Sequence, residues 1–413
     1  MGIYRWTKAV KLLVVALLVL PLLTGCWDRV EIEERAVILG ISIDTAPKEA
    51  EVEEHEVSHL EGKFPAPAQN MIRVAVQIAL PGRIPLGPGE PSGGGGGRGS
   101  EQTVWVLDVV GHTIDDALMN LQQQISNKLF FGHLRVIIIS EDVAKLGLQN
   151  INDYLRRNSE VRRMAWMLIA KGNAEELMKA APKLERVPTA YLLATMDSAV
   201  RMGKFPNDFV GNFWSDSSKK GREGFLPYVG IMKEENIEIM GLAYFKGTQM
   251  IGTTKPLEVG AYMGVRGINP AGYRGIISVD GPERTITLYA THRKSKIDVA
   301  IKNGRPIITV TIQNELNIEE KLSEQFLIDN PDILKQIEEE DEEAALKLHE
   351  GLIKETQEKG SDIFGFGEYV RAKEPKYWNE HIKTKEAWQE MYKDIEVDVN
   401  IDIKIRRVGM EAK

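Results

Sequence analysis

The chain has 413 residues, of which 43% are hydrophobic and 27% are charged, so it is long enough for two or three globular domains. Its 52 basic and 60 acidic residues give a net charge of −8 at pH 7. An acidic surface of this kind argues against nucleic-acid binding and against electrostatic docking on anionic lipids.

The first 25 residues are typical of a secretory signal peptide. Three basic residues and no acidic one precede the uncharged run LLVVALLVLPLL, Leu12–Leu23. A membrane-spanning helix needs about 20 apolar residues, whereas sixteen residues separate the start of this run from Asp28, and Pro21 interrupts them. We therefore predict a signal peptide over residues 1–25, in preference to an uncleaved anchor helix. Its removal leaves 49 basic and 60 acidic residues, and thus a net charge of −11.

Cys26 is the only cysteine, so a disulfide within the chain is excluded, and a metal site would need more sulfur or clustered histidines. Leu23-Thr24-Gly25-Cys26 resembles the bacterial lipobox, in which small residues precede a cysteine that receives diacylglycerol before cleavage. The resemblance implies that Cys26 is the lipid attachment site and the first residue of the mature chain. Two acyl chains give stable attachment, since each buried methylene contributes about 0.8 kcal/mol. A lone reactive or buried thiol is the alternative.

Residues 26–206 are predicted to form an N-terminal α/β domain. The strand candidates RAVILGISID and MIRVAVQIAL are separated by a polar insert. Residues 81–100, PGRIPLGPGEPSGGGGGRGS, contain five consecutive glycines and are predicted to form a flexible loop. Predicted strands and helices then alternate, and one helix should begin at the capping box of Thr113 and extend to about Lys128. This alternation indicates a mixed sheet covered by helices.

The string His55-Glu56-Val57-Ser58-His59 matches the H-E-x-x-H pattern of zinc peptidases. In that pattern two histidines one helical turn apart bind zinc, and the glutamate activates water. Here the string lies in the polar insert, between EVEE and EGKFPAPAQ, rather than on a long and partly buried helix. The other five histidines offer no motif for a third ligand. We therefore predict a solvated insert, with catalytic zinc as the alternative.

A change in composition indicates a smaller α+β domain over residues 207–269. Its first part, GNFWSDSSKKGREG, Gly211–Gly224, is predicted to be an exposed polar loop. The strand candidates FLPYVGIM and IEIMGLAYF follow, and PLEVGAYMGV, which begins with proline, is predicted to be a short helix.

Residues 270–413 are predicted to form a C-terminal α+β domain with an antiparallel sheet and a long helix. The helix should begin at Asn330-Pro331, with the asparagine as its cap. The acidic run Glu338–Glu343 is interpreted as the solvated face of that helix rather than as a ligand cluster. Strict alternation of apolar and polar residues predicts a final strand over Asp394–Gly409. The other strand candidates lie at 275–279, 285–291, 297–301 and 306–317.

Other residues of types that often act in catalysis are given structural interpretations. His133 opens a strand and is predicted to be a hydrogen-bonded structural histidine. Trp378 and Trp388 are predicted to pack on the C-terminal sheet. Asp362, with the glycines around it, is predicted to form a tight turn that caps a helix. The sequence therefore predicts neither a catalytic residue nor a metal or cofactor site.

Several motifs together resemble the Ger(x)C family, the C subunits of spore germinant receptors. Cys26-Trp27-Asp28 leads into the strand RAVILGISID, and FFGHLRVIIISEDVAKLG, GFLPYVGI and GLAYFKGTQMIG follow. The segment GSDIFGFGEYVRAKEPKYWNEH, residues 360–381, is followed by Trp388 and by a strand that ends in Arg406-Arg407-Val408-Gly409. These motifs cover nearly the whole mature chain. The acidic insert and the pentaglycine loop depart from the family, which connects the two N-terminal strands more tightly.

The resemblance implies an α+β fold of three domains in an elongated arrangement, without an assigned catalytic residue or cofactor. It implies a lipoprotein of Gram-positive spore formers, held at the outer surface of the spore's inner membrane. Two integral-membrane partners, the A and B subunits, would act with it to sense nutrients and trigger germination. The alternative is that the chain itself binds the nutrient. We favour the first reading because solute-binding proteins have two similar lobes around a cleft, and this sequence shows no such duplication.

Overall fold

The computed structural model describes residues 34–47, 49–50, 71–80, 103–180, 187–232, 236–269 and 274–407, together with residues 11 and 14. The predicted signal peptide, Cys26, the string His55–His59 and the glycine-rich loop 81–100 lie outside the described residues, apart from those two isolated positions. None of the described helices is both long enough and apolar enough to cross a lipid bilayer.

The described residues form two sheets and the helices that cover them, which confirms the predicted α+β class. The strands are β1 (Arg35–Thr45), β2 (Ile72–Ala79), β3 (Val104–Gly111), β4 (Lys128–Phe130), β5 (Val136–Ser140), β6 (Trp166–Ala170), β7 (Phe225–Ile231), β8 (Ile237–Lys246), β9 (Gln249–Thr253), β10 (Arg274–Ser278), β11 (Thr285–Lys302), β12 (Arg305–Lys321) and β13 (Glu396–Arg407). The helices are α1 (Ile114–Gln124), α2 (Glu141–Leu146), α3 (Gln149–Arg157), α4 (Ala174–Lys179), α5 (Pro188–Arg201), α6 (Val210–Ser217), α7 (Pro256–Val265), α8 (Pro331–Lys359), α9 (Phe366–Lys373), α10 (Pro375–Tyr377) and α11 (Lys385–Tyr392).

The first sheet contains β1 to β9, in the order β3-β2-β1-β5-β6-β7-β8-β9, and β4 also pairs with β1. Its centre is parallel, from β1 through β5 and β6 to β7, while the strands on either side are antiparallel. Every residue of β5 and β6 is buried. This matches their uninterrupted apolar sequences, since parallel strands are covered by helices on both faces.

The strands that we expected in a separate middle domain continue this first sheet. β7 pairs in parallel with β6, where Ile169 lies opposite Tyr228, and β8 and β9 extend the sheet from β7. Strand pairing therefore connects residues 225–253 directly to the N-terminal domain. The division at residues 206 and 269 stays a prediction.

The second sheet has the order β10-β11-β12-β13 and is dominated by a long hairpin. β11 and β12 have 18 and 17 residues and are joined by a tight turn at Asn303-Gly304, where both residues have positive φ angles of 49° and 73°. This is the type of turn that hairpins prefer. The candidates at 285–291 and 297–301 are one strand, because the polar residues between them also pair with β12.

The last strand differs in direction from the antiparallel arrangement that we predicted. β10, β11 and β12 are antiparallel, but β13 runs parallel to β12, with Val310 opposite Val399. The reason is the connection between them, since residues 322–395 hold α8 to α11 and carry the chain back to the starting end of β12. A parallel pair requires a crossover of this kind.

Helix α8 confirms the predicted start signals. The side chain of Asn330 accepts a hydrogen bond from Ile333 N at 2.9 Å, Pro331 is the first helical residue, and the helix ends at Gly360 with φ 66°. Helix α1 also begins as predicted, with the Thr113 hydroxyl accepting from Asp116 N at 3.1 Å, but it ends at Gln124 rather than near Lys128.

The acidic run of α8 is more than a solvated face, so that interpretation is wrong for two of its members. Glu338 accepts a hydrogen bond from Ile405 N, and Glu342 accepts one from Ile403 N, both at 2.8 Å. Both donors belong to β13, which is an edge strand. The two carboxylates therefore bind backbone N–H groups that an unprotected edge strand would leave free to pair with another chain.

We expect the double substitution Glu338→Ala and Glu342→Ala to lower the free energy of unfolding by about 1–3 kcal/mol, because two charge-assisted hydrogen bonds are lost. Urea denaturation followed by tryptophan fluorescence measures the change. The control is Glu339→Ala with Glu343→Ala, whose exposed carboxylates pair, within the described part of the chain, with Lys335 and Lys347 alone. Exposed pairs of this type contribute less than about 1 kcal/mol, and equal losses in both double variants would contradict the expectation.

Candidate functional site

Two segments that are distant in sequence meet where the N-terminal sheet contacts the C-terminal helices. One is Gly221–Gly224, immediately before β7, and the other is Gly360–Glu368, the connection from α8 into α9. We call the two segments together the junction. Gly360 and Gly365 have φ angles of 66° and 78°, so the second segment makes two bends that residues with a side chain rarely adopt.

Backbone groups join the two segments directly. Glu223 N donates to Asp362 O at 2.8 Å, and Glu368 N donates to Gly221 O at 3.1 Å. Glu368 also accepts from Gly221 N through its carboxylate, at 2.8 Å. A Cβ atom at Gly221 would lie 2.3 Å from the carbonyl carbon of Gly367. The segments can therefore approach this closely only because glycine occupies both positions.

Asp362 is the centre of the second segment and is almost fully buried, with 1% exposure. One carboxylate oxygen accepts from Gly365 N at 2.7 Å, and the other accepts from Gly367 N at 2.8 Å and from Trp388 Nε1 at 3.0 Å. Burial raises the pKa of Asp362 to about 6, although these hydrogen bonds act in the opposite direction. The predicted role of Asp362 in a tight turn that caps a helix is confirmed, and its bond to Trp388 adds α11 to the turn.

Arg222 reaches from the first segment into the second. Its Nε donates to Ile363 O at 3.2 Å, and its Nη2 donates to the Tyr262 hydroxyl and pairs with Asp216, both at 3.0 Å. Burial works against the charge of Arg222, but its pKa is still raised, by Tyr262 and by the carboxylates around it. The guanidinium group therefore stays charged and connects α6, α7 and the turn after α8.

Glu223 joins the junction to two further elements. It is 1% exposed, pairs with Lys385 Nζ at 2.9 Å, and accepts from Gln389 Nε2 at 2.6 Å. It also accepts from Gly247 N, in the turn between β8 and β9, at 2.9 Å. A buried carboxylate is costly unless it is paired and hydrogen-bonded, and both conditions are met here.

Aromatic rings fill the space beside these polar groups. Phe364 stacks with Tyr262 at a centroid distance of 5.9 Å and with Phe366 at 5.2 Å. Trp388 stacks with Tyr392 at 6.1 Å and lies 5.8 Å from Trp378. Trp378 and Trp388 belong to the same buried core cluster as residues of β11, β12 and β13 in the second sheet, as the sequence predicted.

The arrangement holds parts of the molecule together rather than presenting reactive groups. Both carboxylate oxygens of Asp362, of Glu223 and of Asp216 have hydrogen-bond or ion-pair partners within the protein itself. Asp208 lies near Asp216 and Arg222, and its pKa is raised to about 7, chiefly by burial and then by Asp216. The junction thus works chemically as a buried polar joint.

The structure does not place the other predicted residues at the junction. Cys26 and the pair His55 and His59 lie outside the described residues. His133 is exposed, its ring lies 6.0 Å from that of Phe130, and it has no hydrogen bond to the rest of the described chain. The expectation of a hydrogen-bonded structural histidine is therefore wrong. Among the described residues, no group of three His, Cys, Asp or Glu side chains could hold a metal ion.

The expectation of an exposed polar loop at Gly211–Gly224 is also wrong. Most of the first part of this range is helix α6, in which Phe213, Trp214 and Asp216 are buried. Trp214 donates through Nε1 to Asn152 Oδ1 at 2.9 Å. The aromatic pair within a polar run, and the charged pair Arg222-Glu223 between two glycines, were the signals that could have indicated a buried segment.

Comparison with known proteins places similarity along nearly the whole chain. Residues 28–231 match the family described as spore germination protein N-terminal domain, and residues 240–409 match the family described as spore germination B3/GerAC like, C-terminal. The first match contains Gly221–Gly224 and the second contains Gly360–Glu368. The junction therefore joins the two matched regions.

Individual relatives show the same extent of similarity. The putative spore germination protein YfkR of Bacillus subtilis is 27% identical and covers 98% of both chains. Spore germination protein KC of the same organism is 25% identical over 97% of this chain and 95% of its own. The crystal structure of the GerBC protein has a TM-score of 0.54 at 19% identity, and the match covers 81% of this chain and 94% of that one. That last likeness shows the fold alone.

We expect Gly367→Ala to lower the free energy of unfolding by about 1–3 kcal/mol, the usual range for overpacking. The added methyl group would lie 2.5 Å from the Trp388 ring and 2.6 Å from Gly221 Cα. Urea denaturation measures the change. The control is Gly351→Ala on the exposed face of α8, where no atom lies within 4 Å and the change should stabilise by about 0.5–1 kcal/mol. Equal effects of the two variants would show that the close approach imposes no constraint.

Asp208 should make stability depend on pH. The pKa of Asp208 is about 7 in the folded protein, whereas the ordinary value of an aspartate, 3.8, applies to the unfolded chain. Between pH 3.8 and pH 7 the folded state therefore keeps a proton that the unfolded chain has released. The free energy of unfolding should therefore fall as pH rises from 4 to 7, by at most about 1.4 kcal/mol per pH unit from this group. Asp208→Asn should remove this component, whereas Asp153→Asn, at an exposed position, should keep it. Identical pH profiles for wild type and Asp208→Asn would contradict the assignment.

Proposed function

Because the chain belongs to the Ger(x)C family of spore germination proteins, we propose that it is the lipid-anchored subunit of a nutrient germinant receptor. In this role it acts with two integral-membrane subunits, A and B, to trigger spore germination. It carries out no catalytic step itself.

The observation that carries this proposal is the extent of the similarity. Relatives named as spore germination proteins match this chain over 97–98% of its length and over 95–98% of their own. The N-terminal and C-terminal family descriptions follow each other without overlap, from residue 28 to residue 409. A protein that shared only one domain with the family would match over part of its length.

Attachment to the membrane is proposed to occur through Cys26. The sequence around it carries a lipoprotein signal, and its thiol receives a diacylglyceryl group. The predicted mature body has a net charge of −11, so anionic lipids would repel it. The free energy of attachment to the membrane must therefore come from the acyl chains. We place the body at the outer surface of the spore's inner membrane.

A role in assembly and signal transmission is supported by the junction. Backbone bonds, the charges of Arg222 and Glu223, and the turn at Asp362 connect the two family regions through groups that are largely buried. A buried and fully bonded joint has few alternative arrangements. A displacement that a membrane partner imposes on one region would therefore be passed to the other.

Cys26→Ala is expected to release the protein from the spore inner-membrane fraction, because the only thiol that can carry acyl chains is removed. Fractionation with immunodetection measures the change, and mass spectrometry of the mature N-terminal peptide should show a diacylglyceryl mass in the wild type alone. Germination in response to nutrients should be lost or strongly slowed in the same spores.

The matched control is Thr24→Ser, which keeps a small residue before the cysteine and should leave membrane attachment unchanged. Purification of the tagged wild-type protein from solubilised spore membranes should recover the A and B subunits. An unmodified Cys26 on a freely diffusing mature protein would overturn the anchoring proposal. Recovery of the anchored protein without either membrane partner would overturn the assembly proposal.

A further inference from the structure

The second sheet, α7 and α8 line a partly open cavity that the proposed function does not use. Its volume is about 660 Å³, and its walls come from α7, from the strands β10 to β13 and from the middle of α8. Cavities that bind small molecules commonly have volumes of about 300–1,000 Å³. The size therefore suits a small organic molecule.

Most of the cavity wall is apolar. Side chains from all three parts contribute, and they include Leu257, Ile277, Leu288, Leu316, Ala344 and Leu348. Such a wall favours an alkyl group, since each buried methylene contributes about 0.8 kcal/mol.

The acidic groups of the cavity lie on α8. Of the six acidic residues 338–343, four have partners, because Glu338 and Glu342 bind β13 while Glu339 and Glu343 pair with lysines. The remaining two, Glu340 and Asp341, have no hydrogen-bond or ion-pair partner among the described residues. These two are also the acidic residues that line the cavity.

Asp341 is the better placed of the two to bind a ligand. Glu340 is exposed, whereas Asp341 is half-buried. Burial, and then the neighbouring Glu342, raise the pKa of Asp341 to about 6, so the carboxylate is ionised at pH 7.5 but lacks a cation beside it. A carboxylate that has lost part of its hydration and has no partner is unfavourable, and a ligand with a positive charge would remove that cost.

Further polar groups line the cavity, among them Arg293 on β11 and, on α8, His349 and Lys347, the last of which is paired with Glu343. Arg293 is 9% exposed, and its Nε donates to Asn314 Oδ1 at 3.0 Å. His349 is bonded through Nδ1 to Ala345 O at 2.6 Å, which leaves Nε2 buried and without a partner among the described residues. Burial lowers the pKa of His349 to about 4, so the ring is neutral at pH 7.5 and adds no charge that competes with a cation.

We propose that this cavity binds a small alkylammonium compound, with the ammonium group paired to Asp341 and the alkyl group against the apolar wall. This goes beyond the proposed function, because binding needs neither the lipid anchor nor the membrane partners. An amine and an amino acid share this chemistry, and the carboxylate of an amino acid would lie on the side of Arg293.

Isothermal titration calorimetry of the detergent-solubilised full chain, with detergent alone as the blank, tests the proposal. Isopentylamine should bind, whereas 4-methylpentanoate, which has the alkyl chain but lacks the ammonium group, should not. L-Leucine has both groups. Tighter binding of L-leucine than of isopentylamine identifies an amino acid as the ligand type, and weaker binding identifies a simple amine.

Asp341→Asn should weaken binding of the amine by about tenfold or more, through loss of the ion pair. Glu339→Gln removes the same charge from the other side of α8 and should leave the affinity unchanged. Ala344→Phe, which fills the cavity from α8, should abolish binding while Asp341 is still present. Circular dichroism confirms that each variant is folded.

The proposal is overturned if neither isopentylamine nor L-leucine binds. It is also overturned if Asp341→Asn and Glu339→Gln have equal affinities, since the charge would then act only at long range. Either result leaves the anchoring and partner experiments unaffected, because those use membrane fractions and do not depend on a ligand.

Discussion

The close approach of two backbone segments at Gly221 and Gly367 fixes how the two regions of the molecule meet. No side chain separates them, so each segment is placed to within a hydrogen-bond length of the other. Arg222 and Glu223 follow Gly221 directly, so the same backbone contact determines where their side chains lie. The position of α9, of α11 and of the last strand depends on this placement, because the chain enters all three through the turn at Asp362.

Burying so many polar groups in one place has a cost that the surrounding structure offsets. Asp208 and Asp362 both have raised pKa values because they have lost water, and Arg222 keeps its charge only because carboxylates and Tyr262 surround it. Such networks often add little net stability, but a polar group that loses its partner is strongly unfavourable. The junction therefore favours one arrangement of the two regions over others that would bury about the same apolar area.

Local signals in the sequence predicted most of the elements, while the contacts between distant segments were not accessible from it. Asn330-Pro331 marked the start of α8 correctly because a cap acts within one turn, and the alternation of residues 397–405 predicted β13 because it reflects a single sheet face. The direction of β13 depends instead on a crossover, and the burial of Gly211–Gly224 depends on distant partners, such as Asn152 for Trp214 and Gly367 for Gly221. The motif similarity predicted the family correctly, but it could not indicate that Gly221 and Gly367 lie in contact.

The parallel pairing of β12 with β13 has a consequence for how the chain assembles. The first of these strands ends at Lys321 and the second begins at Glu396, so the whole crossover must be in place before the sheet gains its fourth member. Pairing between strands this far apart in sequence forms slowly, because the chain entropy of bringing them together is lost before their contacts are gained. Until β13 is in place, the β12 side of the long hairpin remains open to other chains. Pairing of β13 with β12, rather than packing of the apolar cores, thus becomes the step that protects this molecule from misassembly.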